Sequence, residues 1–137
     1  MHLDSSAFIA DSGLLEVLGK YSEPVACPQD RVLFRQGDAP VGIYLLLKGE
    51  ATLSMTSESG ESLVSSRAVS GSILGLPGLI GSAPFTLTAL ALAGAHVEFV
   101  SRDSFTALMQ NDPMLALKVL RVLAAEVRTA RVALSQS

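Results

Sequence analysis

The sequence is poor in cysteine, in histidine and in charge, and it has no surplus of basic residues. A single cysteine, Cys27, excludes an internal disulfide framework and any multi-cysteine zinc or iron–sulfur site. Ten basic residues against thirteen acidic ones give a net charge of -3, which argues against the basic footprint of nonspecific nucleic-acid binding. Two histidines are too few for a metal-dependent cupin enzyme. We therefore expect no metal site, no cofactor and no direct nucleic-acid binding.

Charge is absent between Arg67 and Glu98, a stretch that could be mistaken for a membrane span. Glycine and proline interrupt it throughout, and at that density they break a helix and leave backbone groups unpaired in lipid. The interrupting residues are Gly71, Gly75, Pro77, Gly78, Gly81, Pro84 and Gly94. The N-terminus also lacks the basic start and long apolar run of a secretory signal. We expect no membrane association and a cytoplasmic location.

The 137 residues, 49% of them hydrophobic, suit one domain with one core. Three zones follow along the chain: a helical region at about 5–20, a β zone at 23–100, and helices at 101–134. The β zone consists of short apolar or alternating runs separated by turn signals, a pattern typical of an antiparallel sandwich, barrel or jelly roll. Ser101 is a suitable N-cap, and Pro113 suits the first turn of the final helix.

The final helix carries two apolar stripes. Leu115, Val119 and Val122 form one stripe, and the other alternates by four and three residues as a heptad seam. The seam consists of Ala116, Leu120, Leu123, Val127, Ala130 and Leu134. A helix that packs on one domain needs only one apolar stripe. The two apolar stripes together predict that one stripe covers the β zone while the seam contacts a second copy of the chain, giving a homodimer. The alternative is a helix that is wholly buried within the monomer.

Three segments of the β zone combine an apolar run with a turn glycine: Val32-Leu33-Phe34-Arg35-Gln36-Gly37-Asp38, Ile43-Tyr44-Leu45-Leu46-Leu47-Lys48-Gly49-Glu50 and Gly71-Ser72-Ile73-Leu74-Gly75. They resemble the cyclic-nucleotide-binding domain of the catabolite activator and fumarate–nitrate-reduction regulator superfamily. The segment from Val100 to Phe105 is similar to the family's last strand and following helix. The resemblance implies a mainly β fold with flanking helices: an antiparallel β jelly roll, an N-terminal helical region and a long C-terminal dimerisation helix. It also implies a phosphate-binding cassette, here at 71–88.

Two polar anchors of the family's cassette are missing. In the family a glutamate accepts from the ribose hydroxyl and an arginine pairs with the cyclic phosphate; here Leu76 and Phe85 stand at those positions. Leucine cannot accept a hydrogen bond from the ribose hydroxyl, and phenylalanine lacks the planar donor fork that pairs with a phosphate. We therefore expect no binding of cyclic AMP or cyclic GMP by the usual mode. The candidate pocket residues are Gly75, Leu76, Gly78, Leu79, Phe85, Thr86 and Thr88.

Two interpretations of the cassette remain open. In the first, the pocket is adapted to a less charged ligand. In the second, the pocket has collapsed and Leu76 and Phe85 fill the space. The resemblance also places Thr129 and Arg131 where relatives have helix residues that reach the pocket across the dimer.

No Ser-His-Asp, Cys-His or paired-carboxylate arrangement has convincing spacing, so we expect no catalysis. The leading hypothesis is a non-catalytic sensor or regulatory module for a small-molecule effector, acting as a homodimer. One alternative is a ligand-free scaffold for dimerisation or partner docking. Another is the sensor domain of a transcription regulator truncated before its DNA-binding domain, because in the family's regulators a helix-turn-helix domain follows the long helix.

Overall fold

The computed structural model describes residue 10 and residues 12–135, with side chains described for Ala10 and for 13–126. Eight strands and four helices follow one another along this part of the chain. The strands are β1 (Glu23–Val25), β2 (Arg31–Phe34), β3 (Gly42–Lys48), β4 (Ala51–Thr56), β5 (Ser62–Ala68), β6 (Ser72–Leu74), β7 (Thr88–Ala91) and β8 (His96–Ser101). The helices are α1 (Ser12–Gly19), α2 (Leu76–Gly81), α3 (Arg102–Asn111) and α4 (Pro113–Ser135).

The strands form two four-stranded antiparallel sheets. The order is β1-β8-β3-β6 in the first sheet and β2-β7-β4-β5 in the second. Register places Tyr44 opposite both Leu74 and Phe99 in the first sheet, and Leu53 opposite Ala89 in the second. The expected mainly β fold, an antiparallel jelly roll with flanking helices and a long C-terminal helix, is confirmed.

The first sheet is buried on both of its faces. Alternate residues of β3 and β6 point in opposite directions, as the two-residue period of a strand requires. Leu46 and Leu74 join the core between the sheets, which also contains Phe34, Leu53 and Phe85. Leu45 and Ile73 join a second core under the helices, together with residues of α1, α2, α3 and α4. The roll therefore has an inner core and a separate helical core.

The stripe Leu115, Val119 and Val122 attaches α4 to the helical core, as the sequence pattern predicts. Ser101 caps α3 by accepting a hydrogen bond from the Ser104 amide at 3.2 Å, and Pro113 begins α4. The apolar pattern over 85–92 is typical of a strand, but β7 begins only at Thr88 and ends at Ala91. The residues before it follow the path of the glycine-rich insert instead.

No helix in the described part of the chain is long and apolar enough to cross a membrane. The charge-free stretch between Arg67 and Glu98 folds into β6, α2, β7 and the start of β8.

The close approach of β3 and β8 at Gly42 generates a stability prediction. A Cβ at Gly42 would lie 2.3 Å from the Val100 carbonyl oxygen and 2.5 Å from the Phe99 ring. Backbone cannot yield cheaply in a buried strand, so Gly42→Ala should destabilise the domain by about 3 kcal/mol or more. At Gly81 nothing lies within 4 Å of an added Cβ. Urea unfolding should show Gly81→Ala within about 1 kcal/mol of the parent; equal effects of the two substitutions would contradict the packing described here.

Candidate functional site

The cassette lies at the end of β6, where the chain turns into α2. Gly75 precedes the helix with φ of 98°, a left-handed conformation that favours glycine. The helix has only six residues, with Pro77 in its first turn and Ser82 in a left-handed conformation at its end. Pro77 supplies no amide donor. This short turn of helix carries one backbone donor fewer than the cassette that the resemblance implies.

The segment between α2 and β7 leads the chain back to the roll. Its Phe85 is buried in the inner core. Its ring stacks on that of Phe34 with the centroids 4.0 Å apart and the planes at 21°. A Cβ at Gly75 or at Gly78 would come within 3.0 Å of the Phe85 ring. The bare backbone at these two glycines is therefore what admits the phenyl ring, and the position expected of a phosphate-binding arginine is occupied by an aromatic pair.

Main-chain hydrogen bonds fix the position of Phe85. Its carbonyl accepts from the Gly37 amide at 2.8 Å, and its amide donates to the Asp38 carbonyl at 2.9 Å. These bonds join the cassette to the β2–β3 loop. Thr88 takes part in the same junction, because its Oγ1 accepts from the Gln36 amide at 2.9 Å. Thr88 thus serves to hold the loop, whereas Thr86 lies at the cavity described next.

A small cavity of about 40 Å³ lies beside the aromatic pair. It has room for about three water molecules, far below the several hundred Å³ of a typical small-molecule site. Its walls are mostly apolar and come from both sheets, α2, the loop before β7, and α4. The lining residues are Phe34, Leu53, Leu74, Gly75, Pro77, Gly78, Phe85, Thr86, Leu87 and Glu126.

Apart from Thr88, which holds the β2–β3 loop, the predicted pocket residues fall into two groups. Gly75, Gly78, Phe85 and Thr86 line the cavity. Leu76 and Leu79 belong to the helical core, and neither lines the cavity. The side chain at the family's glutamate position therefore packs with the helices rather than filling the space beside Phe85. The predicted contacts of Thr129 and Arg131 lie outside the described side chains, as do Val127, Ala130 and Leu134 of the predicted seam.

Glu126 is the polar residue of this site that the sequence reasoning missed. It is 7% exposed, lines the cavity from α4, and its Oε1 has no hydrogen-bond partner among the described residues. Burial disfavours the charged form and raises the pKa of this carboxyl from its ordinary 4.5 to about 8. A signal was available: one further step of the buried stripe Leu115, Val119 and Val122 falls on residue 126, where an apolar stripe meets a glutamate.

Other candidate chemistry does not assemble. Among the described residues, no group of three or more histidine, cysteine, aspartate or glutamate side chains comes together to hold a metal ion. Cys27 is buried in the inner core, and its Sγ contacts the Val25 carbonyl at 3.5 Å. Among the described residues, Glu126 is the only one with an ionisable side chain at the cavity.

The family model of the cyclic nucleotide-binding domain matches residues 24–112, about two thirds of the chain. The chain belongs to this family. The matched region contains both sheets, the cassette and α3, and it ends just before α4.

Solved structures share the fold across most of the chain. The Thermus thermophilus catabolite activator protein is 22% identical with a TM-score of 0.79, over 92% of this chain and 59% of that one. A cyclic nucleotide-binding domain from Methylobacillus flagellatus is 27% identical with a TM-score of 0.71, over 91% and 70%. The sensor domain of the transcriptional regulator DNR from Pseudomonas aeruginosa is 19% identical with a TM-score of 0.68, over 90% and 82%.

The chain thus spans about three fifths of the length of the Thermus thermophilus activator. No curated protein sequence matches it significantly.

The buried carboxyl of Glu126 predicts a pH-dependent stability. Between pH 4.5 and about 8 the folded domain keeps a proton that the unfolded chain has released, so the free energy of unfolding falls as pH rises. The fall attributable to this group is on the order of 4 kcal/mol by pH 8. Glu126→Gln, which does not titrate, should remove this part of the dependence when urea unfolding is measured between pH 5 and pH 8.5.

Glu61→Gln is the matched control, since Glu61 is exposed in the β4–β5 turn. It should keep the parental pH dependence. A parent domain whose stability is the same at pH 5 and pH 8.5, or a Glu126→Gln variant that tracks the parent, would show that the carboxyl is not buried as described.

Proposed function

We propose that this domain is a non-catalytic regulatory module of the cyclic-nucleotide-binding family that does not bind cyclic AMP or cyclic GMP by the usual mode. The cavity beside Phe85 carries the proposal, because its one ionisable described residue is an acid. A cyclic phosphate entering there would find an aromatic pair where the family has arginine, and a carboxyl group nearby. Desolvating a phosphate without a cationic partner costs several kcal/mol. The effector of this module is a small molecule of another chemical class, and the module acts in the cytoplasm.

The output of the module is the position of α4. Glu126 lines the cavity from the same helix that carries the predicted seam. Occupation of the cavity would change how α4 docks on the helical core, and a ligand shifts such an equilibrium only by its difference in affinity for the two arrangements. Coupling the cavity to a helix at a dimer interface is what makes the module a sensor in this proposal.

The small volume of the cavity favours a second candidate, a ligand-free scaffold for dimerisation or partner docking. Phe34 and Phe85 already occupy the space beside the cassette, and about 40 Å³ remains. In a scaffold the cavity would hold water only. A small molecule that raises the melting temperature of the parent domain, and no longer does so when Glu126 is replaced, would reject the scaffold.

Calorimetric titration tests the nucleotide part of the proposal. We expect no binding of cyclic AMP or cyclic GMP to the parent domain at nucleotide concentrations up to about 0.1 mM. A dissociation constant in the micromolar range or below would overturn the proposal, since it would mean that backbone amides and Thr86 suffice for the phosphate.

The surface of α4 supports the predicted homodimer. Leu120 of the seam is 53% exposed, and Met114 and Leu117 beside it are 66% and 39% exposed. Leu123 is partly buried against the helical core, while the stripe of Leu115, Val119 and Val122 is fully covered. The helix thus keeps one apolar face within the domain and presents another at the surface, as a helix that pairs with a second copy does.

Leu120→Glu tests this assembly. The side chain is half exposed in the monomer, so a charge there should leave the fold intact while placing two carboxylates in the seam of the dimer. Light scattering at tens of micromolar should show a dimer for the parent and a monomer for Leu120→Glu. Leu63→Glu, at a 45% exposed position on β5, should remain dimeric. A parent domain that is monomeric at this concentration would reject the homodimer.

A further inference from the structure

Glu126 is a buried hydrogen-bond acceptor at the cavity. Its Oε1 has no hydrogen-bond partner among the described residues, and the residue is 7% exposed. Leaving such a group unsatisfied destabilises a protein, and folded proteins rarely contain one. The carboxyl therefore points to an occupant of the cavity that donates hydrogen bonds.

The charge on the walls restricts the occupant. From β2, β4, β6, α2 and the loop before β7 the cavity receives only uncharged side chains, so the described lining offers no cation to an anionic ligand. Among the described lining residues, the one ionisable group that an anion would meet is the carboxyl of Glu126. A phosphate, sulfate or carboxylate ligand is accordingly disfavoured, and the occupant is neutral or positively charged.

The aromatic pair favours the positive charge. Phe34 and Phe85 line the same small space as the carboxyl. Aromatic rings attract organic cations through their quadrupole, most strongly where water is excluded, and their hydrocarbon surface packs against an apolar body. A carboxylate supplies the charge-assisted hydrogen bonds that an ammonium group donates. The carboxyl of Glu126 and the rings of Phe34 and Phe85 together match one chemical class of ligand, an organic cation with N–H donors.

We propose that the cavity between Phe34, Phe85 and Glu126 binds a small organic ammonium ion, whose N–H groups donate to the Glu126 carboxylate and whose alkyl body packs on the two rings. This inference rests on the proposed function, since it names the class of effector that the regulatory module senses. The volume limits the enclosed part of the ligand to a few heavy atoms, and a larger body would extend past the exposed Pro77 and Thr86.

Binding exchanges a proton. The free site holds a neutral carboxyl at pH 7, because burial raises the pKa of Glu126 to about 8. An ammonium ion keeps its own proton at this pH, so Glu126 releases its proton to solvent as the ion pair forms. One proton leaves for each ligand bound. The apparent dissociation constant should therefore fall about tenfold for each pH unit from 6 towards 8.

The first experiment is an NMR titration of the parent domain with propylammonium, followed on the Gly75 and Gly78 amides. A ligand of four heavy atoms binds weakly at best, so we expect a dissociation constant between about 0.1 and 10 mM. The neutral isostere 1-propanol and the anion propionate should bind at least tenfold more weakly. Equal binding of propylammonium and 1-propanol would overturn the proposal without any variant.

The second experiment removes the charge. Glu126→Gln should weaken propylammonium binding at least tenfold and abolish its pH dependence between pH 6 and pH 7.5, while 1-propanol binding changes less than twofold. The control Glu61→Gln should bind as the parent does. Unchanged affinity in Glu126→Gln, with a folded spectrum, would overturn the assignment.

Cyclic AMP in the same titration separates the two levels of inference. If cyclic AMP binds with micromolar affinity, the proposed function fails. If neither cyclic AMP nor propylammonium shifts the Gly75 and Gly78 amides, the ammonium assignment fails while the statement about nucleotides stands.

Discussion

The burial of the β1-β8-β3-β6 sheet on both faces is the constraint on which the rest of the structure depends. One face closes the inner core against the second sheet, and the other must be covered by helices, because β3 alternates Leu46 inward with Leu45 outward. The chain meets this need with α1, α2, α3 and α4. Because Leu115, Val119 and Val122 anchor α4 on the helical core, residue 126 lies at the cavity. The position of the site therefore follows from how the helices cover the sheet.

The placement of Leu76 and Glu126 shows how the cassette divides between the two cores. The short helix α2 lies where both cores meet, with Leu76 and Leu79 on the helical side and Gly75 and Gly78 at the cavity. The family's charged groups are thus absent from the cavity side, and the acid that is present comes from α4. Among the described residues, the cavity lining therefore contains no cationic partner for a phosphate.

Much of the fold was accessible from the sequence because local signals and tertiary packing agree. The Ser101 cap, Pro113 at the start of α4, and the alternating runs of β3 and β4 all formed as predicted. The end of the glycine-rich insert did not, since Phe85 to Leu87 have an apolar β-like pattern but follow hydrogen bonds to the β2–β3 loop. Leu76 was assigned to the cavity from its place in a motif, and only the direction of α2 shows which core receives it. Glu126 lay one helical step beyond a recognised stripe.

The two hydrogen bonds that hold Phe85 are made by its main chain, to Gly37 and to Asp38. They do not depend on which side chain residue 85 carries. The backbone of this segment can therefore keep its position when the side chain at residue 85 changes. The side chains at 85 and 126, which both line the cavity, can therefore set its polarity and charge while the main-chain bonds of the roll stay the same.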